Sequence, residues 1–92
     1  MSITRTATVA DPHGLHARPA AEFVETARSF ESTLQILAAD KSGNCKSLLS
    51  VLKMGIGQGA VVTVHADGVD EEQAAETLAA LLGHASQDSA SA

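Results

Sequence analysis

Apolar residues recur at two different spacings along this chain, and the alternation between them predicts the order of its elements. Four segments alternate apolar and polar residues as β-strands do, namely residues 3–9, 33–38, 44–46 and 60–66, with a turn at 40–43. Three segments repeat at helical spacing, namely one opening at residue 17 or 19, one at 48–52 and one at 70–82. The order βαββαβα predicts an α+β fold in which one sheet carries its helices on one face.

Composition limits the chain to one small domain with an aliphatic core. It has 92 residues, no Trp or Tyr, and only Phe23 and Phe30 as aromatic residues. Cys45 is the single cysteine, so no disulfide can form within the chain. We predict a domain over residues 1–84 followed by a flexible tail over 85–92. No stretch approaches the length of a membrane span and no leader pattern is visible, so we expect a cytoplasmic protein.

The net charge of −5 argues against a nucleic acid as the main partner. The acidic residues crowd the C-terminal third, whereas Lys41, Lys46 and Lys53 cluster with no acid between the first and the last of them. If these lysines fold next to Arg18, they form a positive face that attracts an acidic protein. A plain scatter of solvated charges explains the same pattern equally well.

Residues 14–20 read Gly-Leu-His-Ala-Arg-Pro-Ala and place an imidazole and a guanidinium two positions apart where a loop turns into a helix. The helix begins either at Ala17 with His16 as its cap or at Pro19 with Arg18 as its cap. Both starts leave His16 and Arg18 beside backbone N–H groups that lack helical partners, and such a helix start is an anion site. A neutral imidazole there can accept a phosphoryl group, whose charge the amides and Arg18 would stabilise.

A loop histidine that only caps or packs is the plain alternative for His16, and the physical argument alone leaves it open. A metal site is a further alternative, because His13 and His16 stand three residues apart. Only Asp11 lies nearby as another ligand, so we expect neither a metal ion nor any other cofactor.

The motif at residues 14–20 resembles the active-site motif of the HPr family, the histidine phosphocarriers of the bacterial phosphoenolpyruvate-dependent sugar phosphotransferase system. The likeness extends to residues 46–52 with the glycines that follow, and to the order of elements, so that it covers residues 2 to about 84. It implies an open-faced β-sandwich, with a four-stranded antiparallel sheet and three helices on one face.

The resemblance also implies a role for each matching residue. His16 would accept the phosphoryl group through Nδ1 from enzyme I and pass it to the IIA domain of a sugar permease. Arg18 and the amides of Ala17 and Arg18 would hold the phosphate. The protein would then be a monomeric, stoichiometric carrier rather than a turnover enzyme, with neither nucleic acid nor membrane as a partner. The expected docking face comprises Lys46, Leu48, Leu49, Leu52 and Lys53.

Ser47 has two interpretations. It precedes a short apolar helix and is explained as its N-terminal cap. It also matches a position that a regulatory serine kinase phosphorylates in some family members, where a phosphate would repel an acidic partner. The alternative function is accordingly a regulatory module that binds a transcription regulator or an enzyme and is switched by phosphorylation of His16 or Ser47.

Overall fold

The computed structural model describes residues 2–12, 14–15 and 17–83, and its elements follow one another in the predicted order. The strands are β1 (Ser2–Thr8), β2 (Thr33–Ala38), β3 (Lys41–Asn44) and β4 (Val61–Asp67). The helices are α1 (Ala17–Arg28), α2 (Leu48–Lys53) and α3 (Glu71–Gly83). His13, His16 and residues 84–92, which include the predicted tail, lie outside the described residues.

The four strands form one antiparallel sheet in the order β1-β4-β2-β3. Its register places Ile3 and Leu34 on either side of Ala66, so the apolar members of three strands share one face. Val62, Val64 and Ala66 are fully buried on that face, while the residues between them are more exposed, because successive side chains of a strand point to opposite sides. The predicted open-faced α+β architecture is confirmed.

The core is aliphatic, as the composition predicts, and the helices cover the apolar face of the sheet. The predicted stripe of α1 is buried throughout, and it consists of Ala20, Phe23, Val24 and Ala27. Helical spacing predicts an apolar stripe on α3 of five residues, of which four are buried and Leu81 is 38% exposed; the buried four are Ala74, Ala75, Leu78 and Leu82. Burial of each large side chain such as Phe23 or Leu78 contributes about 1.5–3 kcal/mol. The periodicity of α1 therefore predicted its packing better than that of α3.

The predicted strand at residues 44–46 is wrong. The third strand is Lys41–Asn44, and the hairpin turns at residues 39–40, where Ala39 has a left-handed φ of 56°. Lys41 pairs directly with Ala38, and Gly43 pairs with Ile36. Residues whose types are typical of a turn therefore belong to the antiparallel pairing of β2 and β3. Cys45 follows the strand instead of lying in it, and its N–H donates to the carbonyl of Leu34 at 3.0 Å.

Cys45 nevertheless behaves as a small buried hydrophobe. Its side chain is fully enclosed in the core. Desolvation raises the pKa of the thiol to about 12, which keeps the sulfur protonated at neutral pH.

Backbone hydrogen bonds fasten the segment between β1 and α1 to the loop that precedes β4. The Val9 N–H donates to the carbonyl of Ala60 at 2.9 Å, and the Gly59 N–H donates to the carbonyl of Val9 at 2.8 Å. Nearer to α1, the Leu15 N–H donates to the carbonyl of Ile56 at 2.9 Å. The chain therefore enters α1 from a position that is fixed by a second loop, distant in sequence.

Gly14 makes the closest approach between these two loops. It has a left-handed φ of 74°, and a Cβ atom built on it would lie 2.4 Å from the carbonyl oxygen of Ile56. It would also lie 2.7 Å from the Cα atom of Gly57. Only glycine fits this position, because both its backbone angle and the space around it exclude a side chain.

The structure decides between the two predicted starts of α1 in favour of Ala17. Pro19 consequently lies in the first turn, where its missing N–H costs no helical hydrogen bond because the first N–H groups have no carbonyl to reach.

The Asp70 carboxylate joins the start of α3 to the start of β2. One oxygen accepts from the Glu31 N–H at 2.9 Å, and the other accepts from the Ser32 N–H at 3.0 Å and from the Ser32 hydroxyl. These donors, with the Ser32 hydroxyl contributing most, lower the pKa of Asp70 below its ordinary value.

Replacing Asp70 by Asn should weaken the fold at neutral pH and flatten its response to acid. A carboxyl group whose pKa is lower in the folded state stabilises the protein above its unfolded pKa, near ~4, and this stability is lost as the pH falls through the lower, folded value. Urea unfolding from neutral pH to about pH 3 measures the effect. Asp67→Asn, at an exposed carboxylate of the same turn, is the control; equal pH profiles for the two variants would contradict the assignment.

Replacing Gly14 by Ala should destabilise the protein by about 2–3 kcal/mol, because the new methyl group overlaps the Ile56 carbonyl and the left-handed angle is strained for alanine. Gly57→Ala is the matched control, since a Cβ atom there meets nothing within 4 Å. Chemical denaturation of both variants measures the difference, and a Gly14→Ala protein as stable as the control would show that the loops do not meet as described.

Candidate functional site

The amino end of α1 carries an exposed positive charge. Arg18 is exposed in the first turn of the helix, and that turn contains no acidic side chain. The unpaired N–H groups of a helix start add a partial positive charge. His16 lies outside the described residues, but it directly precedes Ala17, the first residue of α1, in the sequence. The described part of this region therefore has the charge that a phosphoryl group requires.

The short helix α2 exposes three leucines on one side and buries its other side. Leu48, Leu49 and Leu52 are 39%, 67% and 39% exposed. The opposite side is anchored by Val51, which is fully buried, and by Met54, which follows the helix and is 6% exposed. The leucines that the sequence predicts for a docking face are thus free to contact another protein, and an exposed apolar patch of this kind is typical of an interaction surface.

Ser47 is the N-terminal cap of α2. Its backbone is extended, and its hydroxyl accepts a hydrogen bond from the Ser50 N–H at 3.3 Å. The predicted structural role of Ser47 is therefore confirmed.

Two of the basic side chains near α2 donate hydrogen bonds to backbone carbonyls of other segments. The Lys46 ammonium donates to the carbonyl of Phe30 at 2.7 Å, just beyond the end of α1. The Arg28 Nε donates in turn to the carbonyl of Lys46 at 2.9 Å. These bonds tie the end of α1 to the approach of α2. Lys53, in contrast, is exposed in the last turn of α2, where a cation also complements the helix dipole.

The loop after α2 brings the end of α2 and the start of α1 to the same part of the molecule. Met54 ends α2, and two residues later the carbonyl of Ile56 accepts from Leu15, two residues before α1 begins. α1 and α2 also pack against each other. The start of α1, which carries Arg18, and the end of α2, which carries Leu52 and Lys53, are therefore linked through one loop.

The sequence analysis did not predict the structural roles of Lys46 and Gly14. The anchoring of Lys46 depends on a carbonyl of a distant segment, which leaves no local pattern. The tight contact of Gly14 had a signal, since a glycine at the first position of the motif favours a close backbone approach.

Among residues 2–12, 14–15 and 17–83, no group of three or more His, Cys, Asp or Glu side chains is arranged to hold a metal ion. Within the same ranges, no helix is both long and apolar enough to cross a membrane.

Comparison with known proteins agrees with this geometry. The family described as the PTS HPr component phosphorylation site matches residues 3–84. Phosphocarrier protein HPr of Lysinibacillus sphaericus is 43% identical over 79 residues, which are 86% of this chain and 90% of that protein. Phosphocarrier protein HPr of Buchnera aphidicola is 45% identical over 71 residues, covering 77% of this chain and 84% of that protein.

A crystal structure of phosphocarrier protein HPr from Bacillus anthracis superimposes with a TM-score of 0.85 at 36% identity, covering 88% of this chain and 96% of that chain. The family match spans almost all of the described residues, and both the sequence relatives and the solved structure are phosphocarriers. The chain thus belongs to the HPr family of phosphocarrier proteins of the phosphotransferase system.

Proposed function

We propose that His16 accepts a phosphoryl group from phosphorylated enzyme I and gives it to the IIA domain of a sugar permease. The observation that carries this proposal is the start of α1 at Ala17 with Arg18 exposed beside it and no acid in the first turn. A histidine that directly precedes this helix start is close to groups that stabilise a phosphate.

The chemistry needs few groups. A lone pair on the Nδ1 atom of neutral His16 attacks the phosphorus, and the bond between phosphorus and enzyme I breaks, leaving its electron pair on enzyme I. The second transfer repeats the step, with His16 as the leaving group and the IIA domain as the acceptor. Positioning and charge stabilisation dominate such transfers. Arg18 and the amides of Ala17 and Arg18 provide that stabilisation.

The protein acts as a monomeric carrier that is loaded once and unloaded once by other proteins, and not as an enzyme with a small-molecule substrate. The exposure of Arg18 supports a site that acts on other proteins. Arg18 is exposed at a helix end and not enclosed in a cleft. An open site allows a second protein to approach the phosphorus directly.

The docking surface, defined as Lys46, Leu48, Leu49, Leu52 and Lys53, receives both partners. Its leucines supply apolar contact area, and Lys53 together with Arg18 attracts an acidic partner. The ammonium of Lys46 donates to the Phe30 carbonyl, which fixes the position of this side chain at the start of the surface.

Ser47 is proposed as a second, regulatory phosphorylation site, accessible to a serine kinase. It lies directly before the docking leucines and is only partly buried. A phosphate there would add about two negative charges at the docking surface and repel an acidic partner. The same change would alter recognition by a transcription regulator, which is the alternative function of this surface.

His16→Ala should abolish phosphorylation by enzyme I and phosphoenolpyruvate, and Arg18→Gln should slow it about tenfold or more through the loss of charge stabilisation. Incorporation of acid-labile phosphate measures both variants. His65→Ala, on β4, is the control and should be labelled normally. Normal labelling of the His16→Ala protein would refute the proposed acceptor.

Leu49→Ser should lower kcat/KM for transfer from enzyme I about tenfold, mainly through KM, because the most exposed docking leucine no longer buries its side chain. Val69→Ser is the matched control. Val69 is 86% exposed in the turn after β4, close to Asp67, which pairs with Ser2 and Thr33 at the end of the sheet opposite the start of α1. Equal kinetics for the two variants would show that α2 is not the docking element.

A further inference from the structure

A groove of about 300 Å³ lies between β3 and α2, outside the start of α1. It is lined by Lys41, Ser42, Ser50, Lys53 and Met54. Its two walls belong to different elements, since the first two residues lie on the strand and the next two lie on the helix. The groove is therefore part of the folded framework and not of a single loop.

Strand and helix geometry explains which side chains meet there. Lys41 and Gly43 are two residues apart on β3, so they point to the same face of the sheet, the face that α2 covers. Ser50 and Lys53 are three residues apart on α2, so they share one side of the helix. The groove thus receives one lysine from the strand and one from the helix, with a serine next to the latter.

Gly43 allows the two walls to approach. A Cβ atom at this position would lie 3.0 Å from the Met54 sulfur and 3.4 Å from the carbonyl oxygen of Ser50. Met54 is almost completely buried and closes the floor. The groove is therefore shallow and open to solvent, with a base formed by Met54.

The charge of the groove is opposite to that of the protein. The chain carries a net charge of −5, yet no acidic side chain lines the groove, although the exposed Asp40 directly precedes Lys41 in the turn. Two ammonium groups beside one cleft produce a positive potential that a multivalent anion neutralises. Lysine is also a common point-charge ligand for phosphate.

We propose that this groove binds a small phosphate-bearing molecule. Its volume lies at the lower end of the range for small-molecule sites, and two lysines match the double charge of a phosphate better than the single charge of a carboxylate. Because Lys53 also belongs to the docking surface, an occupied groove presents less positive charge to an acidic partner. This consequence rests on the proposed docking surface, whereas the binding itself does not.

Pyrophosphate and inorganic phosphate are suitable probes. They are titrated into the Arg18→Gln protein, so that the start of α1 contributes little, and backbone amide shifts are followed by NMR. We expect saturable shifts at Gly43, Ser50 and Lys53. Lys41→Gln and Lys53→Gln should each weaken the binding of pyrophosphate about tenfold, which corresponds to the loss of one charge-assisted hydrogen bond.

Arg5→Gln is the matched control, because it removes one positive charge from β1, at the opposite edge of the sheet. An equal loss of affinity in Arg5→Gln and Lys41→Gln would overturn the proposal in favour of unspecific attraction by net charge. Absence of saturable shifts with both probes would overturn it as well. Shifts of the same amides on addition of enzyme I alone would then assign the groove to a carboxylate of that protein. Since binding is measured without phosphoryl transfer, failure here leaves the role of His16 untouched.

Discussion

The hydrogen bond between the Leu15 N–H and the Ile56 carbonyl is the contact on which the site depends. It joins the residue two positions before α1 to the loop that follows α2, and the hydrogen bonds of Val9 with Gly59 and Ala60 fix the same two segments further back. These hydrogen bonds join backbone groups only. They therefore fix the position of the loop and leave its side chains free. The result is a helix start with a defined position and a free outer surface.

The order and packing of the elements were largely predictable because they depend on periodicity. The stripe of Phe23 and its neighbours predicted a buried side of α1, and the cap at Ser47 predicted the start of α2, since both signals are local. The third strand was misplaced because Lys41 and Gly43 have the chemistry of a turn. Their pairing with β2 is a tertiary effect, in which register overrides local preference.

The exposure of Arg18 and of the α2 leucines was predictable, since the leucines follow helical spacing around the buried Val51. It was less predictable for Lys46. From the sequence, a lysine next to an exposed helix is expected to be a solvated charge. The ammonium of Lys46 instead donates to the carbonyl of Phe30, just beyond the end of α1. No local pattern encodes such a contact, because it arises only when α1 and α2 pack. The sequence therefore shows which charges are present but not which of them remain available.

The distribution of the basic residues would allow an acidic protein to attract the acidic partner proposed above. The chain has six Lys and Arg side chains. Three of them stabilise the fold: Arg5 pairs with Glu76, Arg28 binds the Lys46 carbonyl, and Lys46 binds the Phe30 carbonyl. The other three, Arg18, Lys41 and Lys53, are exposed, as Arg28 is too. Arg18 lies at the start of α1, and the two lysines border α2 and β3. A partner therefore meets a small positive area on a negative molecule, and over a Debye length of about 8 Å that local field outweighs the net charge.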